Sequence, residues 1–405
     1  MALAGPVPNE TLPGRWYPRE YRKPDTEGLS DADKAEVERL EALGYLTGYD
    51  LAATAVGVVL WTPGQSDPGR NLVASGHAPE AQLLGMDGRV LHRWTAPFDL
   101  AFPGYEVVDK QASGAFRSVT LRPADGHLLA IYEGLGIVHL DAGSAVVWAS
   151  ANRAHHAAHW LPNGGVLTLT RALRGSTPEG GPAYEDFVSE LDERGREVRR
   201  VSVHQAIARS RWAGLLQGAG PDPGDRLHTN ALFPLDDIPT DKVGISGRGR
   251  VLLSMRHIDA LAVLDLDEAR IVWLSQGPWS RQHDVQITAS GAMLLFDNRG
   301  GRHGTSRAVA LEPFTDRALW QYAGEPGLPL SSDVLGAVQE LPNGNVLITE
   351  STAGRVVEVT RAGDPVWVWT NPAVTGPDDR WVAAVFHVTR FPHSVSMPWL
   401  ADPGW

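Results

Sequence analysis

The segment Leu161-Pro-Asn-Gly-Gly-Val-Leu-Thr-Leu-Thr170 returns as Leu341-Pro-Asn-Gly-Asn-Val-Leu-Ile-Thr-Glu350, and looser copies recur along most of the chain. In each copy a turn of Pro, Asn, Asp and Gly leads into a short apolar strand. A second strand follows, and a third strand bearing Trp closes the unit, at Trp94, Trp148, Trp273, Trp320 and Trp369. Repetition every few tens of residues with strands inside each unit is the mark of stacked sheets or a propeller. The expected fold is therefore all-β.

Six blades fit the copies. They run from Leu72 to Trp94, from Leu121 to Trp148, from Leu161 to the Glu193-Arg-Gly195 turn, from Val251 to Trp273, from Ile287 to Trp320 and from Leu341 to Trp369. The propeller is assigned to residues 55–372, preceded by an arm and short helix over 1–54. An aromatic tail over 373–405 is expected to pack back on the ring. Ser30 as N-cap and Gly44 as stop bound the helix. Leu51 to Trp61 reads as a buried strand, too short to span a bilayer. The insertions Arg171 to Asp186 and Val203 to Gly247 exceed ordinary loop lengths, as lids and binding loops do.

Composition narrows the function. The 43 Gly and 29 Pro supply the turns that many short strands need. A net charge of −12 argues against a nucleic-acid partner, because such a surface repels phosphate backbones. With no cysteine, disulfides, thiolate metal sites and a cysteine nucleophile are excluded. Met1 to Tyr17 lacks a basic stretch followed by an apolar one. The chain reads as cytoplasmic as written, and as periplasmic or secreted if a preceding segment has been removed. A small molecule is the partner expected. Oligomeric state is left open, since the edges of a propeller are short.

No phosphate loop, dinucleotide fingerprint, G-x-S-x-G or H-E-x-x-H occurs. What remains is histidine. His155-His156, His228-Thr-Asn230 and Gln282-His283-Asp284 each lie just upstream of a blade's first long strand. Equivalent places in a ring face one mouth of the channel, so His156, His228 and His283 should converge. Arg256 and Arg307 are candidate cations for a bound oxyanion. Phe296-Asp-Asn298 ends the strand that follows His283 and puts Asn298 among the candidate substrate contacts. Three converging neutral imidazoles would also suit a divalent transition metal, which leaves a metalloenzyme open beside a metal-free one. A non-catalytic binding propeller is a third reading.

Together these segments resemble the bacterial arylsulfate sulfotransferase family of six-bladed propellers, from about residue 30 to 392. Leu40-Glu-Ala-Leu-Gly-Tyr45, Tyr132-Glu-Gly-Leu-Gly-Ile137, the His155-His156 pair, His228-Thr-Asn230, Gly277-Pro-Trp-Ser-Arg-Gln-His-Asp284, Leu294-Leu-Phe-Asp-Asn298, Gly354-Arg355, Trp367-Val-Trp-Thr-Asn-Pro372 and Arg390-Phe-Pro392 carry the likeness. The resemblance implies a small aromatic substrate: transfer of a sulfuryl group from an aryl sulfate to a phenol, without a nucleotide donor and with no cofactor. It implies that His283 is transiently sulfated, that His228, Asn230 and Arg256 hold the sulfuryl oxygens, and that His156 is general acid or base. Relatives commonly carry Asp after the histidine pair, whereas Ala157 and Ala158 stand here. By sequence, His156 lacks its carboxylate.

Overall fold

In a computed structural model the chain is a six-bladed β-propeller. Residues 47–400 are described, apart from 52, 106–111, 177–181, 218–223, 237, 239–243, 246, 327 and 376–379. The arm and helix expected before residue 46 lie outside these residues. Among the described residues only Phe98–Ala101 and Val203–Ala208 are α-helical, and no helix is long and apolar enough to cross a membrane.

Each blade is an antiparallel sheet whose innermost strand borders the channel. In blades 2 to 6 these strands are Ser118–Arg122, Ala154–Trp160, Thr229–Pro234, His283–Ile287 and Ala337–Glu340. The repeated phrase is the turn that leaves this strand: Leu161 N donates to Gly165 O, and Asn163 Oδ1 accepts from Gly165 N. Leu341, Asn343 and Asn345 repeat the arrangement. Blades 3, 4 and 6 therefore begin one strand earlier than the sequence pattern indicates, while the starts given for blades 2 and 5, Leu121 and Ile287, fall near the ends of their inner strands. The inner strands escape that pattern because they are short and, in blades 3 to 5, bulged, so polar and apolar positions do not alternate cleanly along them.

The closing Trp residues lie on the outer strands and staple neighbouring blades. Trp94 Nε1 donates to Gly126 O of blade 2, and Trp320 Nε1 to Arg361 O of blade 6. Trp148 lies on Gly195 of blade 3, where φ is +75° and an added Cβ would sit 2.4 Å from the indole. Only glycine satisfies both constraints.

Blade 1 closes the ring. The tail strand Val385–Pro392 pairs with Gly69–Ser75, so it forms the inner strand of this blade and belongs to the propeller that the sequence reading ended at residue 372. Gly57–Trp61, expected to be buried, is instead the outermost, fifth strand of blade 6. It pairs only with Pro365–Thr370 and leaves Val59, Leu60 and Trp61 exposed.

Inner strands are stitched side chain to backbone around the channel. Thr120 Oγ1 donates to Ala158 O (2.8 Å), His159 Nε2 to Leu232 O, Asn230 Nδ2 to Gln282 O (2.8 Å) and Gln286 Nε2 to Val338 O. Gln339 exchanges two bonds with the Arg390 backbone. These bonds hold the strand ends, and hence the side chains at the channel mouth, in a fixed ring.

Candidate active site

The expected convergence is present. The rings of His156 and His228 are 5.1 Å apart, and His156 and His283 line one channel cavity of about 330 Å³ with Arg117, Asn230, Leu335 and Phe386. Strand irregularities put the histidines there. The register of the inner strand slips between His155 and Ala158, between Thr229 and Ala231, and between His283 and Gln286. His156 (φ 55°), His228 (φ 49°) and Asp284 (φ 49°) take left-handed conformations at these points. Bulges of this kind re-aim side chains beside functional sites.

The hydrogen bonds decide which nitrogen of His283 is free. Asn298 Nδ2 donates to Ser332 O (2.6 Å) and Leu335 O (2.7 Å), which fixes the amide so that Oδ1 faces His283 Nδ1 at 2.7 Å. Arg281 O accepts from the same nitrogen at 3.0 Å. Two acceptors require a proton on Nδ1, so the neutral ring keeps its lone pair on Nε2. Asn298 is fully buried and serves His283, in place of the substrate contact expected for it.

The other two imidazoles have carboxylates behind them. Asp225 Oδ2 lies 2.6 Å from His228 Nδ1. Glu133 Oε1 lies 3.2 Å from His156 Nδ1, and its other oxygen accepts the His156 backbone N–H. Glu133 thus fills the place left by Ala157 and Ala158, from the neighbouring blade. His155 Nδ1 is 3.0 Å from His156 Nδ1 on the same side.

Burial, with Arg256 adding to it, holds the His283 imidazole well below the usual histidine range. Burial, then Arg117, does the same to His156. His257 is pushed down to about 2 by burial, His228 and Arg256. Burial alone would raise Asp225, but the charge and hydrogen bond of His228 outweigh it and hold the carboxyl well below its usual range.

Arg256 is buried beside the histidines. Its backbone N–H bonds His228 O and its Nη1 reaches His257 Nε2 at 2.9 Å. Arg307 is not at the site: its guanidinium donates to Asp297 (2.8 Å), Gln321 (3.0 Å) and Pro278 O (2.7 Å), because it begins the third strand of blade 5, away from the channel. Asn230 lines the cavity and gives one of its two N–H bonds to Gln282 O.

Sequence reasoning missed Arg117, Glu133, Asp225 and His257. Arg117 stands immediately before the inner strand of blade 2, the phase His283 occupies in blade 5, and its guanidinium lies 5.0 Å over Phe386. Repeat phase carried that signal, and the motif Tyr132-Glu-Gly contained Glu133. Among the described residues, two sets bring one possible metal-ligating atom from each residue within 4.8 Å of one another: Glu133 with His155 and His156, and Asp225 with His228 and His257. The set expected from sequence, His156 with His228 and His283, is not one of them.

Residues 130–372, more than half of the chain, match the family model described as Arylsulfotransferase (ASST). No curated protein matches the chain in sequence. Among solved structures it is similar to a protein of unknown function from Bacteroides caccae (12% identity, TM-score 0.49, 80% of this chain and 99% of that one). It is also similar to a catalytically inactive virginiamycin B lyase from Staphylococcus aureus with quinupristin (11%, 0.43, 77% and 88%), and to the WD40 β-propeller domain of Doa1 (12%, 0.44, 86% and 96%).

Proposed function

Since the chain belongs to the arylsulfotransferase (ASST) family, we propose that it moves a sulfuryl group from an aryl sulfate to a phenol through a covalent intermediate on His283 Nε2. The observation that carries this reading is the tautomer of His283, whose Nδ1–H is held by Asn298 Oδ1 and Arg281 O. A buried imidazole kept neutral, with a lone pair on the cavity side, is a competent nucleophile at neutral pH.

In the first half-reaction the Nε2 lone pair attacks sulfur. The bond from sulfur to the aryl oxygen breaks, and the phenolate leaves with the bonding electrons. Arg117 and Arg256 offset the charge on that oxygen and on the sulfuryl oxygens, in a channel where such charges act at low dielectric. His228, oriented at Nδ1 by Asp225, is assigned to hold the sulfuryl group beside them. In the second half-reaction neutral His156 takes the proton of the acceptor phenol, whose oxygen attacks sulfur. The N–S bond breaks and its electrons return to Nε2. The proton on His156 then passes to water or to the departed phenolate.

Intact-mass spectrometry after brief exposure to a chromogenic aryl sulfate, with no acceptor, tests this directly. One SO₃ unit should appear on the protein and vanish on adding a phenol. Because the folded pKa of His283 lies well below that of a free imidazole, its protonation begins only well below about pH 6.5. The rate of adduct formation is therefore expected to stay flat from about pH 8 down past about pH 6.5. A half-loss near pH 6.5 would contradict the buried neutral nucleophile.

Glu133 is assigned to orient His156. Glu133→Gln is expected to slow transfer from the sulfated enzyme to phenol by about 10- to 100-fold, with adduct formation unchanged. Single-turnover measurement of the two halves separates them; equal slowing of both would remove Glu133 from the acceptor step. A metal-based reading draws on the two ligand sets around Glu133 and Asp225. Against it, Arg256 bonds His257 and the charge of Arg171 acts on both carboxylate sets. Stoichiometric metal in the native mass spectrum, with no sulfuryl adduct, would favour the metal reading.

A further inference from the structure

Asp284 ends the motif Gly277-Pro-Trp-Ser-Arg-Gln-His-Asp284 and has no part in the chemistry above. Its left-handed φ and the register slip after His283 place two consecutive residues, His283 and Asp284, on the same cavity. A regular strand would send them to opposite faces. Asp284 Oδ2 accepts the Val338 backbone N–H at 2.7 Å. Among the described residues no ion pair forms with Asp284, and the bond from Val338 N–H is the one hydrogen bond its carboxylate makes.

The surroundings are mostly apolar: Leu72, Phe233, Val285 and Phe391 line the same space. The polar groups lining it include His387, whose Nε2 bonds Thr389 Oγ1, His159, whose Nε2 bonds Leu232 O, and the side chains of Thr120, Gln286 and Gln339. A carboxylate with a single hydrogen bond in such a place is short of partners. Burial accordingly raises the Asp284 pKa. Arg117 lies in the same cavity, and the charges of Arg117 and Arg256 both act on His283. The cavity thus has a cationic end for the sulfuryl group and an acidic residue beyond it. The net charge of −12 also draws cations toward the protein.

We propose that Asp284 is the counter-ion of a subsite for a primary ammonium group, and that the preferred acceptors are phenols carrying an aminoalkyl substituent. The assignment of these ligands as acceptors rests on the sulfuryl-transfer reading; their binding does not. The wall beside the reacting histidines is Phe386 with Leu335, against which the ring of such a phenol packs. Its ammonium then reaches past His283 to Asp284 Oδ1.

The test compares 3- and 4-(aminomethyl)phenol with 4-ethylphenol, by calorimetric binding to the resting protein and by kcat/KM in the transfer assay. A charged hydrogen bond in a partly desolvated site should favour the amines by about 10- to 100-fold. Asp284→Asn keeps an oxygen for the Val338 N–H, so the fold is retained and only the charge is lost. In this variant the amine preference should collapse to near unity while 4-ethylphenol is unaffected. Equal binding of amine and neutral phenols by the wild type, or a preference that survives in Asp284→Asn, would overturn the subsite. Asp284-dependent amine binding without any sulfuryl transfer would uphold the subsite and defeat the reaction assigned above.

Discussion

His283→Ala is expected to lose the sulfuryl adduct completely and to lower turnover by on the order of 10³-fold or more, while the protein still folds. The loss is large because no neighbour can replace the nucleophile. His156 and His228 have carboxylates behind their Nδ1 atoms, whereas His283 alone of the three is held by a neutral amide and a carbonyl. A carboxylate makes an imidazole a better proton carrier and stabilises its cation. A neutral acceptor fixes the tautomer without adding charge, so the lone pair remains available. The substitution leaves Asn298 Oδ1 unpaired, at a cost of about 1–3 kcal/mol, which a typical domain stability of about 5–15 kcal/mol tolerates. Circular dichroism and the unfolding midpoint should therefore stay close to wild type. His283→Gly with added imidazole should recover part of the turnover, because the external ring can occupy the vacated place. An adduct that persists in His283→Ala would move the nucleophile to another histidine.

The blade count, the closing Trp positions and the meeting of His156, His228 and His283 were legible in the sequence, because turn chemistry and repeat phase are local and periodic; that these Trp residues staple neighbouring blades was not. The inner strands were not. Ala154–Trp160 and His283–Ile287 carry bulges and left-handed residues that break the period-2 pattern by which strands are recognised. Glu133 was missed as the partner of His156 for a related reason: it sits in blade 2, 23 residues earlier, and only the packing of adjacent blades unites them. Arg307 illustrates the opposite error. Its place after a hairpin of the His283 blade made it a candidate, yet the third strand of a blade lies away from the axis, and Asp297 takes its charge. Strand rank within the blade decides access to the channel, and sequence pattern alone does not rank strands.

Closure of the ring carries the other large expected effect. Arg390 on the tail strand and Glu358 in blade 6 form an ion pair with both side chains fully buried. Arg390 Nε donates to Asn71 Oδ1 (2.8 Å), Nη1 reaches Asp67 O (3.1 Å), and the guanidinium lies 4.6 Å over the Trp367 ring. Glu358 Oε1 accepts from Asp67 N and Asn345 Nδ2, each at 2.7 Å. This cluster ties the tail strand to Gly69–Ser75 beside it in blade 1 and to blade 6. Removing one partner strands a buried charge, so Arg390→Ala and Glu358→Ala should each lower the unfolding free energy by about 3–5 kcal/mol in urea titration. Replacing both by Met and Leu would in many proteins restore stability, because desolvation of a buried pair offsets much of its attraction. Here restoration should be partial, since Asp67, Asn71 and Asn345 would still lose their partners. The exposed pair Arg317–Glu312 is the control: it is solvated, and Glu312→Ala should have no measurable effect. Equal losses for Glu312→Ala and Glu358→Ala would show that the ring is not closed by this cluster, and full recovery in the Met/Leu double variant would show that the ion pair acts without its polar neighbours.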